Sequence, residues 1–196
     1  MNFSERVALI TGAGSPQGIG FAAAQLLARQ GAKIALTSTT DRIHDRVHDL
    51  GVHHAHAFGV AADLSDHEQS RALVQQVLDR FGRIDILVNN AGMTQSGRPA
   101  ETATLPLVEL SEKDWDYSIA INLKTVFNVT KAVLPAMLVA GYGRVVNVSS
   151  TTGPISSNPR ETAYSAAKAN GGNDAQPGTG GCAQRNNCKR SCAGLD

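Results

Sequence analysis

Apolar runs alternate along this chain with segments whose apolar residues recur every three or four positions. Arg6-Val-Ala-Leu-Ile-Thr11 is a short continuous run and predicts a strand buried on both faces. Gly18 to Gln30 puts Ile19, Ala22, Ala23, Leu26 and Leu27 on a helical face and meets a stop at Gly31. The same reasoning gives a second strand at Lys33 to Thr37, a short polar helix at Asp41 to Leu50 and a weaker third strand at His54 to Val60. Asp66 to Phe81 is an amphipathic helix with Leu73, Val77 and Leu78 on one face, and Ile84 to Val88 a fourth strand. Ser111 to Ala140 reads as one long helix opened by the capping pattern Ser111-x-x-Asp114, followed by a fifth strand at Arg144 to Val148. Strands alternating with helices predict an α/β fold, a Rossmann-like doubly wound parallel sheet covered on both faces, over residues 1–169.

The pattern stops after Lys168. Asn170 to Gly181 is rich in breakers, and Cys182 to Asp196 is polar with no strand or helix face, so residues 170–196 are expected to be a separate, disordered tail. All three cysteines, Cys182, Cys188 and Cys192, lie there. Zinc wants four ligands at paired spacing and no histidine follows Cys188, so no metal is expected.

Composition narrows the partners. A net charge of +1 gives no electrostatic reason to expect nucleic acid or an anionic membrane surface. No apolar run approaches the roughly 20 residues of a membrane span. Met1 to Arg6 leads straight into a strand with no signal peptide pattern, which makes the cytoplasm the expected compartment.

The first strand ends in Thr11-Gly-Ala-Gly-Ser-Pro-Gln-Gly-Ile-Gly20, and a helix follows at once. Glycines allow a tight turn and close approach to a pyrophosphate, and the free N–H groups of the helix start face the anion. Gly12, Ser15, Gln17, Gly18, Ile19 and Gly20 are the candidate contacts. Glycine-rich turns of this kind also occur for packing reasons alone. The second strand ends Thr37-Ser38-Thr39-Thr40-Asp41-Arg42, with Ser38 where an NAD site usually carries an acid for the ribose hydroxyl. Hydroxyls at Ser38 and Thr39 with Arg42 nearby suit a 2′-phosphate and point to NADP, with NAD as the alternative. The plainer account is that Thr39 and Thr40 cap a helix and Arg42 is solvated.

Further motifs follow in order: Asn89-Asn-Ala-Gly92 after strand four, Asn122 in the long helix, Ser150 after strand five and Tyr164-x-x-x-Lys168 beyond it. With the glycine loop, these resemble the short-chain dehydrogenase/reductase family in order and spacing, from about residue 5 to about residue 169. The chain as a whole is similar to 3-oxoacyl carrier-protein reductases and their sugar- or alcohol-oxidising relatives. One departure is Pro16-Gln17, which lengthens the usual loop before Gly18.

The resemblance implies an NAD(P)-dependent oxidoreductase moving a hydride between coenzyme and a carbonyl or alcohol, with a 3-oxoacyl thioester the first-ranked substrate. It implies Tyr164 as the acid, Lys168 as its cation and a hold on the nicotinamide ribose, Ser150 as the group that fixes the substrate oxygen, and Asn122 as the holder of a water linked to Lys168. A phenol of ordinary pKa about 10 needs about 4 kcal/mol of phenolate stabilisation to serve near neutrality. A cation one helical turn away supplies much of that. Without the companions Ser150 and Asn122, a Tyr–Lys pair would be ordinary helix surface. Asn89, Ala91 and Gly92 would line the coenzyme with backbone exposed at a strand end, and Asp63-Leu64 would meet the adenine; Asp63 also reads as a plain helix cap. Segments Met93 to Leu110 and Thr151 to Glu161 would line the substrate pocket.

The family continues past Lys168 with more helix, a sixth strand ending in Pro-Gly and a seventh, and usually forms dimers or tetramers. Here the sixth and seventh strands are missing. Read one base later from Gly172, the degenerate codons permit Gly-Met-Thr-Arg-Asn-Leu-Ala-Leu-Glu-Val, and from Asn187 they permit Ile-Val-Asn-Ala-Val-Ala-Pro-Gly-Trp. The former is an amphipathic helix, and the latter resembles the family's sixth strand. A single-base slip after about Lys168 is therefore expected, leaving the chain truncated in family terms and impaired. The alternative is a non-catalytic nucleotide-binding protein whose tail is a partner-binding arm.

Overall fold

The computed structural model describes residues 3–93, 105–156, 160–169 and the pair Cys192–Ala193. Five strands form one parallel sheet: β1 (Val7–Ile10), β2 (Lys33–Ser38), β3 (Ala57–Ala61), β4 (Ile86–Asn89) and β5 (Arg144–Asn147). Their order is β3-β2-β1-β4-β5, so the chain winds outward from β1 one way and then returns to lay β4 on its other side. The helices are α1 (Ile19–Arg29), α2 (Arg42–His48), α3 (His67–Phe81), α4 (Glu112–Ile119), α5 (Thr125–Val139) and α6 (Thr162–Ala169).

Strand alternation divides the core in two. Ala8 and Ile10 of β1, with Ile34 and Leu36 of β2, pack against Phe21, Ala24 and Ala28 of α1 and Ile43 of α2. Val7 and Leu9, with Leu87 of β4, pack against Leu73 and Val77 of α3 and Val129, Val133 and Met137 of α5. Each of the Val, Leu, Ile, Phe and Met side chains among these contributes about 1.5–3 kcal/mol by leaving water. Below the sheet, Asp85 is almost fully buried and accepts from Arg6 Nη1 at 2.8 Å, Arg83 Nη2 at 2.6 Å and the Val7 N–H at 3.0 Å. Burial pushes its carboxyl up, but the hydrogen bonds from Arg83, Val7 and Arg6 outweigh that and hold it below the ordinary carboxylate range.

Helix ends follow the sequence signals. Asp66 caps α3 by accepting from the Gln69 N–H at 3.0 Å, and Gly82 ends it in the left-handed region at φ 76°. Ser111 caps α4 by accepting from the Asp114 N–H at 3.2 Å. The long helix expected from Ser111 to Ala140 is interrupted: Ala120–Lys124 forms a π turn between α4 and α5. Its displaced carbonyls find side chains, Ser118 O accepting from Asn122 Nδ2 at 3.0 Å and Ile121 O from Thr125 Oγ1 at 3.1 Å. The third strand begins later than expected, because Gly51–His56 forms a 3-10 helix first.

One part of the tail departs from the expectation. Cys192–Ala193 forms a two-residue strand, parallel to the short strand Ser149–Ser150 (β6) and outside the main sheet; it is β7. Two backbone pairs need no side-chain alternation, so the pattern could not announce them. The remainder of 170–196 lies outside the described residues, as do residues 94–104 of the expected pocket wall. Among the described residues the main sheet has five strands and no group of His, Cys, Asp or Glu is arranged to hold a metal ion. No helix among them is long and apolar enough to cross a membrane.

Candidate active site

The order of the sheet puts a crevice at the carboxyl ends of β1 and β4, where successive connections leave in opposite directions. Thr11 and Asn90 close the two strand ends on each other. Thr11 Oγ1 accepts from the N–H groups of Asn90 and Ala91, each at 3.0 Å. Asn90 Nδ2 donates to the carbonyls of Thr11 and Gly12, each at 3.0 Å. Gly12 has φ 67°, and a Cβ there would lie 2.7 Å from the Ala91 Cα. A Cβ on Gly20 would lie 2.5 Å from Asn90 Nδ2. These two glycines are required for close packing around Asn90.

The inserted Pro16-Gln17 loops out as an exposed turn in which Ser15 O accepts from the Gly18 N–H at 3.1 Å. Proline at the second position of such a turn is favoured. Helix α1 then starts at Ile19 with no side-chain cap on Gly18 and no acidic residue in its first turn. Its first N–H groups are left for an anion, and the loop carbonyls are already held by Asn90. This arrangement fits a dinucleotide pyrophosphate.

At the end of β2, Ser38 is buried; its Oγ donates to Thr40 O at 2.7 Å, while Thr39 is exposed. Arg42 Nε lies 2.8 Å from the place where a Gly14 Cβ would be. Asp63 Oδ1 accepts from Ser65 N and Oγ at 2.9 and 2.7 Å, so it closes a local turn, and the cap of α3 is Asp66. Leu64 is buried, its carbonyl accepting from Asn128 Nδ2 at 3.0 Å. Asn89 turns away from the crevice: its Nδ2 donates to Thr130 Oγ1 and Asn147 Oδ1, each at 2.9 Å, tying β4 to α5 and β5. Its carbonyl accepts from the Val148 N–H.

Gly92 is where the remaining candidates meet. A Cβ there would lie 2.7 Å from Asn122 Oδ1 and 3.0 Å from Lys168 Nζ. Asn122 is buried, and its carboxamide pairs with the backbone of Met93, accepting from N at 2.9 Å and donating to O at 3.1 Å. Both amide protons are spent, on Met93 and Ser118, so a water at this side chain would have to use the second lone pair of Oδ1. Lys168 Nζ donates to Val148 O at 3.2 Å and lies 5.8 Å from the centre of the Tyr164 ring. Burial pushes the Lys168 amine below the ordinary lysine range. Ser150 Oγ accepts from the Thr152 N–H at 3.1 Å, which leaves its own proton free to donate.

Helix α6, which carries Tyr164 and Lys168, is fixed from below. Ser149 Oγ donates to Lys168 O at 3.2 Å. Gly153, at φ 110°, lies so close to Ser165 O that a Cβ would collide with it. A separate cleft of about 350 Å³ between α3 and α5, lined by His67, Arg71, Leu78, Lys131 and Pro135 among others, contains none of these residues.

The structure thus brings Asn122, Lys168 and Gly92 together beside the glycine loop, and places Asn89 in the packing between β4, β5 and α5. Motif spacing does not single out Thr11, Asn90 or Arg46. Period-two alternation at a strand end holds the signal for Asn90, since Asn89 and Asn90 must point oppositely. Nothing local marks Arg46, which reaches the loop from a different helix.

A family profile described as short chain dehydrogenase matches residues 6–172. The oxidoreductase UcpA of Salmonella typhimurium is 43% identical over 164 residues, covering 84% of this chain and 59% of its own. The 3-oxoacyl-[acyl-carrier-protein] reductase FabG of Thermotoga maritima is 39% identical over 170 residues, covering 86% and 65%. A crystal structure of NAD+-bound xylitol dehydrogenase superposes with a TM-score of 0.77 at 30% identity, covering 86% of this chain and 62% of that one. The chain spans roughly three-fifths of the length of these proteins.

Proposed function

The chain belongs to the short chain dehydrogenase family, and from that premise we propose that it carries the coenzyme and catalytic machinery of an NADP-linked carbonyl reductase, with a 3-oxoacyl thioester as substrate. The observation that supports this best is the convergence at Gly92 of Lys168 Nζ and Asn122 next to the uncapped start of α1. The coenzyme, when bound, supplies the hydride to the carbonyl carbon. Tyr164 delivers the proton to the carbonyl oxygen as the ketone becomes an alcohol. Ser150, whose hydroxyl proton is free, donates to the same oxygen and fixes its position. Lys168 places a cation one turn from Tyr164, favours the phenolate left after proton transfer, and holds the nicotinamide ribose. Ser38 and Arg42 favour a phosphorylated coenzyme, because a neutral strand end with a nearby cation accepts a 2′-phosphate that an aspartate would repel.

A second reading concerns residues 170–196. The shifted codons from Gly172 and Asn187 support a single-base slip, in which case turnover by the chain as written is impaired. The test compares it with a version whose reading frame is shifted after Lys168, following NADPH oxidation with an acetoacetyl thioester. Turnover in the shifted version well above that of the present chain supports both readings. Equal turnover sinks the slip. Tight NADPH binding without turnover in either form favours a non-catalytic nucleotide-binding protein with a partner-binding arm.

A further inference from the structure

The lengthened loop raises the question of what holds its geometry once Pro16 and Gln17 have been pushed out. Gly14 is the last glycine before that turn and packs onto β2, where a Cβ would lie 2.7 Å from the Ser38 Cβ. Its carbonyl accepts from Arg46 Nη1 at 3.4 Å. The rest of the Arg46 guanidinium is already engaged. Nε and Nη2 lie 2.7 and 2.6 Å from Asp49 Oδ2, and the group lies 5.9 Å from the ring centre of Phe21, which is buried in the first turn of α1. One planar cation therefore touches the loop, the residue that ends α2 and the helix that follows the loop. Its side chain is only 14% exposed. Arg42, one turn earlier on the same helix, is exposed and pairs with no carboxylate among the described residues.

We propose that Arg46, clamped by Asp49, is a positioning residue that fixes the Gly14 carbonyl and with it the pyrophosphate loop, in contrast to Arg42, the cation that the NADP reading above already assigns to the 2′-phosphate. The assignment to Arg42 rests on the NADP reading above; the assignment to Arg46 does not. With its charge balanced by Asp49 and its fork occupied, Arg46 acts on any dinucleotide equally. A lysine cannot reproduce this, because it lacks the planar fork that reaches carboxylate and carbonyl together.

The test titrates the full chain and its variants with NADPH and NADH, following coenzyme fluorescence, with melting curves alongside. Arg46→Gln weakens both coenzymes by the same factor, about fivefold, the loss expected for one hydrogen bond and its ordering effect. Arg46→Lys behaves like Arg46→Gln, and Asp49→Asn gives a smaller equal loss of about twofold. Arg42→Gln weakens NADPH about tenfold and NADH by less than twofold. A loss confined to NADPH in Arg46→Gln makes Arg46 itself the phosphate cation and overturns its assignment. A lowered melting temperature with unchanged Kd for both coenzymes overturns it as well. If Arg46→Gln does not fold, Asp49→Asn decides by the same criteria. A parent protein that prefers NADH removes the role of Arg42 and the NADP reading, while an equal loss in Arg46→Gln still supports the loop strut.

Discussion

The half of the sheet proposed to hold the coenzyme and the half proposed to catalyse are built to different standards. Around β1, β2, α1 and α2 the core is closed: Val7 to Ile10 and Ile34 to Ser38 are all buried, and the loop after β1 is held by Thr11 and Asn90. Around β5, α5 and α6 it is more open. Arg144 is exposed, Val145 and Val146 are only half-buried, and on α5 Phe127 and Val139 are 52% and 91% exposed. A parallel strand draws its stability from cover on both faces and a neighbour on each side, and among the described residues β5 has a neighbour only in β4. The proposed coenzyme loop is thus fixed by a finished core. Tyr164 and Lys168, the proposed reacting pair, depend on an eight-residue helix held by Ser149, Val148 and the bare backbone of Gly153.

The sharpest way to separate the halves is Tyr164→Phe. It should cut turnover about a thousandfold, about 4 kcal/mol of transition-state stabilisation, while the Kd for NADPH stays within twofold of the parent. A comparable loss of coenzyme binding would show that the halves are not separable.

Next in size is a pair of core truncations compared by denaturant titration. Leu36→Ala, in the closed region, should cost about 3 kcal/mol, and Val146→Ala, in the open one, about 1 kcal/mol. Equal costs would erase the contrast.

Asp85 tests the floor of the closed half. Asp85→Asn should lower stability by about 2 kcal/mol at neutral pH. Because the carboxyl of Asp85 is held below its ordinary range, its contribution is complete above about pH 4 and is lost as pH falls through the lowered pKa. Melting temperature against pH should therefore fall less steeply on the acid side in the variant, and parallel curves would refute the assignment.

The smallest expected effect is Ser38→Asp, which should shift the ratio of NADPH to NADH affinity about tenfold toward NADH. Competitive titration measures it directly, and an unchanged ratio would remove Ser38 from the coenzyme site.

Most of the fold is legible because it is written in periodicities that survive without tertiary context. The continuous run Val7–Ile10 and the Ser111 cap each produce what local physics predicts, whereas the helix cap read at Asp63 sits at Asp66. The break at Ala120–Lys124 is hidden, since the residues that satisfy its carbonyls, Asn122 and Thr125, resemble ordinary helical polar positions. At the site, motif spacing nominates Asn122, Ser150, Tyr164 and Lys168, of which Asn122 and Lys168 meet at Gly92. The Asn89 side chain ties β4 to α5 and β5, whereas its neighbour Asn90 holds the loop, and the clasp of Asn90 on Gly12 joins positions far apart in the chain.

The pairing of β1 with β4 carries a mechanical consequence. The glycine loop after β1 and the strand end that leads to Gly92 leave from adjacent, hydrogen-bonded strands, stitched again by Thr11 and Asn90. Such a joint has no hinge. One half cannot swing against the other to swallow a substrate, as the lobes of a two-domain enzyme do. The spacing between the glycine loop and the end of β4 is therefore set by strand pairing when the chain folds.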